Sequence, residues 1–275
     1  MNPHALPKTS PFEMALAATR HRQTIFQMVK REILMRYRGS VLGIAWSFFT
    51  PLLMLCVYTF FFSVVFKARW NVETDNHVDY AVVLFVGLIL YTLFSECINR
   101  APQLILSNTN FVKKIIFPLE ILPWITLGSA LFHASISFGI LIIGQFFLSG
   151  QIAWTIIFFP LILFPFLLMI LGAVWFLAAA GVYFRDISHT TNIITSVLLF
   201  VSPVFYSTSM LPEKIHTLTL LNPLTVIITE SRKILLFAEL PNFTALSVYS
   251  LCSFLIAWSG FYFFQKTRKG FADVL

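Results

Sequence analysis

The sequence is 275 residues long, 58% hydrophobic and only 11% charged, with a net charge of +7. An ordinary soluble domain is about 25% charged, and a core of this length has no room for 31 Phe, 8 Tyr and 6 Trp. A water-soluble enzyme, a disordered chain and a secreted disulfide scaffold are therefore excluded, which leaves a polytopic membrane protein.

The first 24 residues are polar and lack the apolar stretch of a cleavable signal, so the first apolar span is expected to stay in the mature chain. Residues 24–38 read as an amphipathic helix in the headgroup plane. Ile25, Met28, Val29, Ile33 and Met35 share one face; Gln27, Lys30, Arg31 and Arg38 oppose it. Glu32 and Arg36 interrupt the apolar face at a spacing that predicts their pairing.

Six stretches are apolar and long enough to cross a bilayer: 43–66, 80–98, 121–147, 153–182, 190–207 and 244–264. The predicted fold is all-α: a single domain over 1–275, with an interface helix in 22–42, six spans in 43–264 and a tail at 265–275. Spans three and four are long, and Pro160 and Pro165 predict a kink in the fourth. Between spans five and six, residues 208–243 carry Pro212, Asn222, Pro223 and Pro241. Two short apolar pieces near 215–221 and 224–237 read either as helices dipping into the outer leaflet or as a plain external loop.

Fourteen of the nineteen Lys and Arg residues fall on the side of the leader, the 2–3 loop, the 4–5 turn and the tail. That side is the cytoplasmic one, and both termini lie there. The positive charge is thus an orientation signal, not a nucleic-acid footprint. Asp186 in the 4–5 turn is placed to cap the helix that follows, and Arg185 to face lipid phosphates.

Cys56, Cys97 and Cys252 lie far apart in apolar runs, with no metal or redox spacing. There is no phosphate-cradling G-x-x-x-x-G-K-[ST], no H-E-x-x-H and no G-x-S-x-G. No metal site and no catalytic residue is expected. Few ionisable groups lie within the spans, which disfavours proton coupling. His133, in line with Thr126, Ser129 and Ser137, reads as a helix–helix contact, a pore-facing polar group or a proton relay. Span one carries Ser47, Thr50, Met54, Tyr58 and Phe61 on one face, and span five carries Thr191, Thr195, Ser202 and Tyr206. Such stripes suit either a path for a sugar chain or ordinary interhelical contacts.

The run Arg36-Tyr37-Arg38-Gly39-Ser40-Val41-Leu42-Gly43-Ile44-Ala45-Trp46, followed by Pro51, resembles the start of ABC-2 type permeases that export polysaccharides. NFVKKIIFPLEILP (110–123), YFRDI (183–187), SPVFYS (202–207), LNPLT (221–225) and the ending FADVL resemble further family segments, in order and at matching spacing. The nearest subgroup is similar to the Wzm type, which exports lipid-linked O-antigen; capsule and teichoic acid permeases share most of these features.

The resemblance implies a half-transporter in the bacterial inner membrane. A second copy of the chain completes the channel, and two separate ATP-binding cassette subunits bind ATP and Mg; no cofactor belongs to this chain. The substrate would be a polysaccharide on undecaprenyl pyrophosphate. Lys30, Arg31, Asn110, Lys113 and Lys114 are then expected to dock the ATPase. Arg36, Tyr37, Arg38 and Trp46 would receive the lipid pyrophosphate, with anionic-lipid anchoring the alternative role for the two arginines. Ser47, Thr50, Tyr58, Phe61, Thr191, Thr195 and Ser202 would line the channel, and Phe205, Tyr206, Asn222 and Pro223 would form the outer gate. A membrane-embedded lipid-modifying enzyme and an ATPase-independent channel are the rival classes.

Overall fold

The structure, a computed structural model, describes residues 9–65, 80–113, 117–208, 219 and 222–275; these form helices joined by short turns, with no strand among them. Five helical stretches are long and apolar enough to cross a membrane: Gly43–Phe62, Tyr80–Gln103, Leu119–Phe147, Trp154–Tyr183 and Phe243–Val274.

Helix α1 (Pro11–Arg20) starts at Ser10, whose side chain accepts from the Glu13 amide at 3.3 Å. The Ser-x-x-Glu spacing is a capping-box pattern; it marks a helix inside the stretch read above only as polar. Helix α2 (Arg22–Arg36) follows directly. Its apolar face packs on protein: Ile33 is buried, Ile25, Met28 and Val29 are half-buried, and Val29 presses on Gly128, where an added Cβ would meet Val29 Cγ2 at 2.8 Å. Met35 departs from that face and is exposed. Two glycines then turn the chain into the first span, Gly39 at φ +85° and Gly43 at φ +53°, a region that β-carbons disfavour.

Helix α3 (Trp46–Tyr58) continues as a π-helical segment, Thr59–Val65. Helix α4 (Tyr80–Arg100) is the most enclosed span, packing on α6 (Leu122–Ser149), α7 (Phe159–Tyr183) and α8 (Ile187–Val201). The short α5 (Thr109–Lys113) sits between α4 and α6. Pro160 occupies the first turn of α7, where its missing N–H costs nothing, so only Pro165 lies inside the helix. The kink expected at Pro160 is therefore not one.

The fifth span differs from the expected 190–207. Helix α8 has 15 residues, about 22 Å, against a hydrocarbon core of about 30 Å. It stops at Ser202 (φ −77°, ψ 150°) because the next residue is Pro203. A residue before proline is pushed out of the helical region, and proline brings no N–H. Asp186 precedes α8 without a side-chain cap; its main-chain carbonyl accepts from the His189 and Thr190 amides instead.

The expected piece at 215–221 falls largely outside the described residues, as does Lys114. The second piece is α9 (Pro223–Leu236), capped by Asn222, whose side chain accepts from the Leu224 amide at 3.0 Å. At its other end Thr155 Oγ1 donates to Ile234 O at 2.6 Å and Gln145 Nε2 donates to Leu235 O at 2.9 Å.

Helix α10 (Phe243–Thr267) packs along α7. The two backbones touch: a Cβ on Gly260 would come within 2.0 Å of Gly172 O. The tail is folded back, with Phe271 of α11 (Phe271–Val274) fully buried beside Tyr183 and Phe264. Gly260→Ala is expected to force α7 and α10 apart, at a cost of about 2–3 kcal/mol. The check is a lowered midpoint of thermal unfolding in detergent; an unchanged midpoint would contradict this packing.

Candidate functional site

Four charges from two helices meet at one end of the bundle. Arg36 Nη1 bonds Glu96 Oε1 at 2.5 Å, Arg100 Nη1 lies 3.5 Å from the same oxygen, and Arg100 Nη2 bonds Glu32. The expected Glu32–Arg36 pair is thus replaced by bridges to α4. An intrahelical pair is worth about 0.5 kcal/mol at most, whereas each bridge to α4 also satisfies a partly enclosed partner, Glu96 being 15% exposed. Two cations and two anions leave this cluster neutral. At the same end Glu120 Oε2 accepts from Arg268 Nη1 at 3.0 Å and Glu120 O from Trp175 Nε1 at 3.1 Å, tying α7 and α10 to the start of α6.

Directly above the charge cluster is a cavity of about 320 Å³ between α3, α4 and α6. Arg36, Tyr37 and Trp46 line it, with Ser47, Thr50 and Tyr58 of α3. Glu96 and Thr92 of α4 and His133 and Ser137 of α6 complete its polar wall. Pro51, which cannot donate to the Ser47 carbonyl four residues back, also lines it.

The Tyr37 hydroxyl lies 3.3 Å from His133 Nδ1, and the rings meet edge to face at 5.8 Å. Burial raises the Tyr37 pKa above its usual value; Arg36 opposes the shift and Glu96 adds to it. The phenol is therefore neutral at physiological pH and able to donate. Donation to Nδ1 leaves the neutral imidazole's proton on Nε2, an atom with no hydrogen-bond partner among the described residues. His133 lines the cavity, with that nitrogen itself enclosed.

The residues expected to act together divide into separate places. Arg36, Tyr37, Trp46, Ser47, Thr50 and Tyr58 share the cavity. Arg38 does not; it is exposed beside Lys30 and Arg31 on a shallow depression of α2. Phe61 is exposed on the π-helical segment. Asn110 is exposed on α5; Lys114 lies outside the described residues, and so does the side chain of Lys113. The α8 stripe turns away from the cavity. Thr191 and Thr195 are both buried; Thr195 Oγ1 bonds Asn99 Oδ1 of α4 at 3.0 Å and Thr195 O accepts from Tyr91 at 2.9 Å, whereas Thr191 Oγ1 donates back to Ser188 O at 3.0 Å within α8. Thr195 therefore makes an interhelical contact.

At the opposite end, Ser202, Phe205, Tyr206, Asn222 and Pro223 do come together. Asn222 Nδ2 donates to Ser202 Oγ at 2.8 Å, Tyr206 donates to Val201 O at 2.6 Å, and the Phe205 ring stacks on Phe200. Sequence reasoning missed the pairing of Glu32 and Arg36 with Arg100 and Glu96, because the bonded partners lie 60 and 68 residues apart and leave no local signal.

Residues 23–236 match the ABC-2 type transporter family. The chain is 28% identical over 255 residues to the O-antigen export system permease protein RfbA of Myxococcus xanthus, covering 92% of this chain and 95% of that protein. It is 23% identical over 250 residues to the O-antigen export system permease protein RfbA of Klebsiella pneumoniae, covering 90% and 93%. The chain belongs to the ABC-2 type transporter family, as a membrane permease subunit; in this family ATP binding belongs to a partner ATPase subunit.

Arg100→Glu is expected to free α2 from α4. Half-exposed pairs of this kind contribute about 1 kcal/mol, so tryptic cleavage after Lys30 and Arg31 should rise about fivefold. Adding Glu32→Arg should recover part of the protection; equal cleavage in all three proteins would contradict the bridge.

Proposed function

We propose that this ABC-2 type permease exports a polysaccharide carried on undecaprenyl pyrophosphate, of the O-antigen class, across the bacterial inner membrane. Two copies would form the channel, driven by two ATP-binding cassette subunits docked on α2 and the 2–3 loop around Asn110, Lys113 and Lys114. The Lys and Arg distribution puts both termini in the cytoplasm. With α8 and the chain beyond it completing a sixth crossing, the charge cluster then lies at the inner surface and the Ser202–Tyr206 segment at the outer. The second copy would cover the exposed faces of α3 and α8, where Phe48, Phe49, Leu53, Ile193, Val197 and Phe200 are open.

The observation that carries this reading is the cavity. It sets an arginine fork, an indole, a phenol and hydroxyls where span one begins, with the Tyr58 phenol further along the same helix. Arginine matches phosphate oxygens in two parallel bonds. Indole and phenol faces suit sugar rings, and Ser47, Thr50, Thr92 and Ser137 can exchange hydrogen bonds with sugar hydroxyls. Arg36 holds Glu96 through Nη1; a phosphate arriving there would compete with that carboxylate. Glu96 would pass to Arg100, which already lies 3.5 Å away. The inner cluster would thus exchange partners without leaving a charge unpaired.

In proteoliposomes with the ATPase subunit, Arg36→Lys is expected to lower substrate-stimulated ATP hydrolysis about tenfold, the loss of one charge-assisted bond. Membrane level and ATPase binding should stay normal, and Arg38→Lys should act more weakly, since Arg38 lies outside the cavity. Full stimulation in both lysine variants, with loss only on alanine replacement, would mean that the arginines anchor α2 to anionic lipid.

A further inference from the structure

The break after α8 creates a physical problem that one residue largely solves. Beyond Val201 the chain is not helical, so its carbonyls must find donors elsewhere; an unpaired carbonyl away from water costs several kcal/mol. Tyr80 donates to Phe205 O at 2.5 Å. The other two come from Arg232 of α9: Nη1 donates to Pro203 O at 2.5 Å and Nη2 to Val204 O at 2.7 Å. Its Nε donates to Val83 O of α4 at 3.0 Å. One guanidinium, 4% exposed, thereby ties three elements together.

We propose that Arg232 is a positioning residue for export, holding the Ser202–Phe205 segment closed against α4 by this three-carbonyl clamp. The proposal rests on the reading of that segment as part of the outer gate. Three features support it. The planar fork is used in full, each nitrogen serving a different carbonyl, which a lysine ammonium at the end of a flexible stem does not reproduce. The site is cut to fit the fork: a Cβ on Gly87 would sit 2.8 Å from Nη2 and 3.3 Å from Val204 Cα, so glycine leaves room for both guanidinium and segment. Finally, a buried charge is a poor device for stability, since an apolar residue of similar volume often does as well or better. What directed bonds add is one fixed arrangement of the segment they hold.

A clamp of this kind gives the gate two discrete states. Its bonds share one rigid group, so they form together and are lost together when α9 shifts relative to α4. Phe205 and Tyr206 flank the clamped carbonyls and move with them. Arg232 itself need not touch the polymer; it acts through the segment.

The test uses the full complex in proteoliposomes. The permease carries Val204→Cys, with the exposed Cys56 and Cys252 changed to serine; Cys97 is buried. Val204 is fully buried, so its labelling by a membrane-impermeant maleimide reports release of the segment. Arg232→Lys and, independently, Gly87→Ala are expected to raise the labelling rate at least about tenfold, the factor that one lost charged hydrogen bond allows. Protein level and basal ATP hydrolysis should stay unchanged. An alanine at 87 meets the guanidinium most closely and the Val204 backbone less closely, so the two effects should be less than additive in the double variant. Resting ion conductance, measured on the same preparations, should rise in parallel. Unchanged labelling in both single variants would overturn the clamp, and so would fully additive effects in the double variant. Faster, non-additive labelling without added conductance would uphold the clamp and overturn the segment's assignment as the gate.

Discussion

Inside a bilayer every main-chain polar group needs a partner within the protein, and the outer end of this chain is built around that requirement. Helix α8 stops early at Pro203, and α9 is too short to cross. Both leave carbonyls that a continuous helix would have satisfied. Side chains supply the donors: Arg232 and Tyr80 for the segment after α8, Thr155 and Gln145 for the end of α9. Glu230, itself buried, accepts from the Asn242 amide at 2.7 Å and from Lys233 at 2.8 Å, which fixes the link from α9 into α10. Apart from the Lys233–Glu230 pair within α9, each of these bonds joins different elements. This end is therefore held by directed contacts in addition to the buried apolar face of α9, where Leu224, Ile227, Ile228, Ile234 and Leu235 join the core.

The inner end is organised by charge. Glu32, Arg36, Glu96 and Arg100 bind the leader helix to α4 and form the floor of the cavity. Between the two ends, α7 and α10 pack backbone to backbone at Gly172 and Gly260. They form a stiff unit with α4, while α3 is joined to the bundle along one side only, its other faces exposed.

Periodicity and hydropathy made five of the spans legible to within a few residues, because each is a long apolar run with clear polar ends. The early stop of α8 was also written in the sequence, as Ser202-Pro203, but an apolar count runs straight through a proline. The start of α1 was signalled by Ser10 and Glu13 and hidden by the polarity of its surroundings. The polar face of span one, Ser47, Thr50 and Tyr58, was legible because helical spacing alone puts it together, and it does face the cavity. The matching stripe of α8 was legible as a face but not as a role. Thr195 bonds Asn99 of α4 while Thr191 bonds back within α8, and which helix a polar face meets is a tertiary fact. The same reason hid the inner cluster and Arg232, which counted in the sequence as an ordinary charge in an outer loop.

The central claim is that the cavity at the inner end of span one receives the pyrophosphate head and first sugars of the substrate. Filling it tests this most directly. Thr50 lines the cavity from the exposed span α3, where a larger side chain disturbs little of the buried core. Native mass spectrometry of the detergent-solubilised complex with undecaprenyl-pyrophosphate-linked oligosaccharide should show the bound lipid on the wild type and its loss from Thr50→Trp, with the ATPase subunit still attached. Undiminished binding to Thr50→Trp would place the substrate elsewhere and contradict the account.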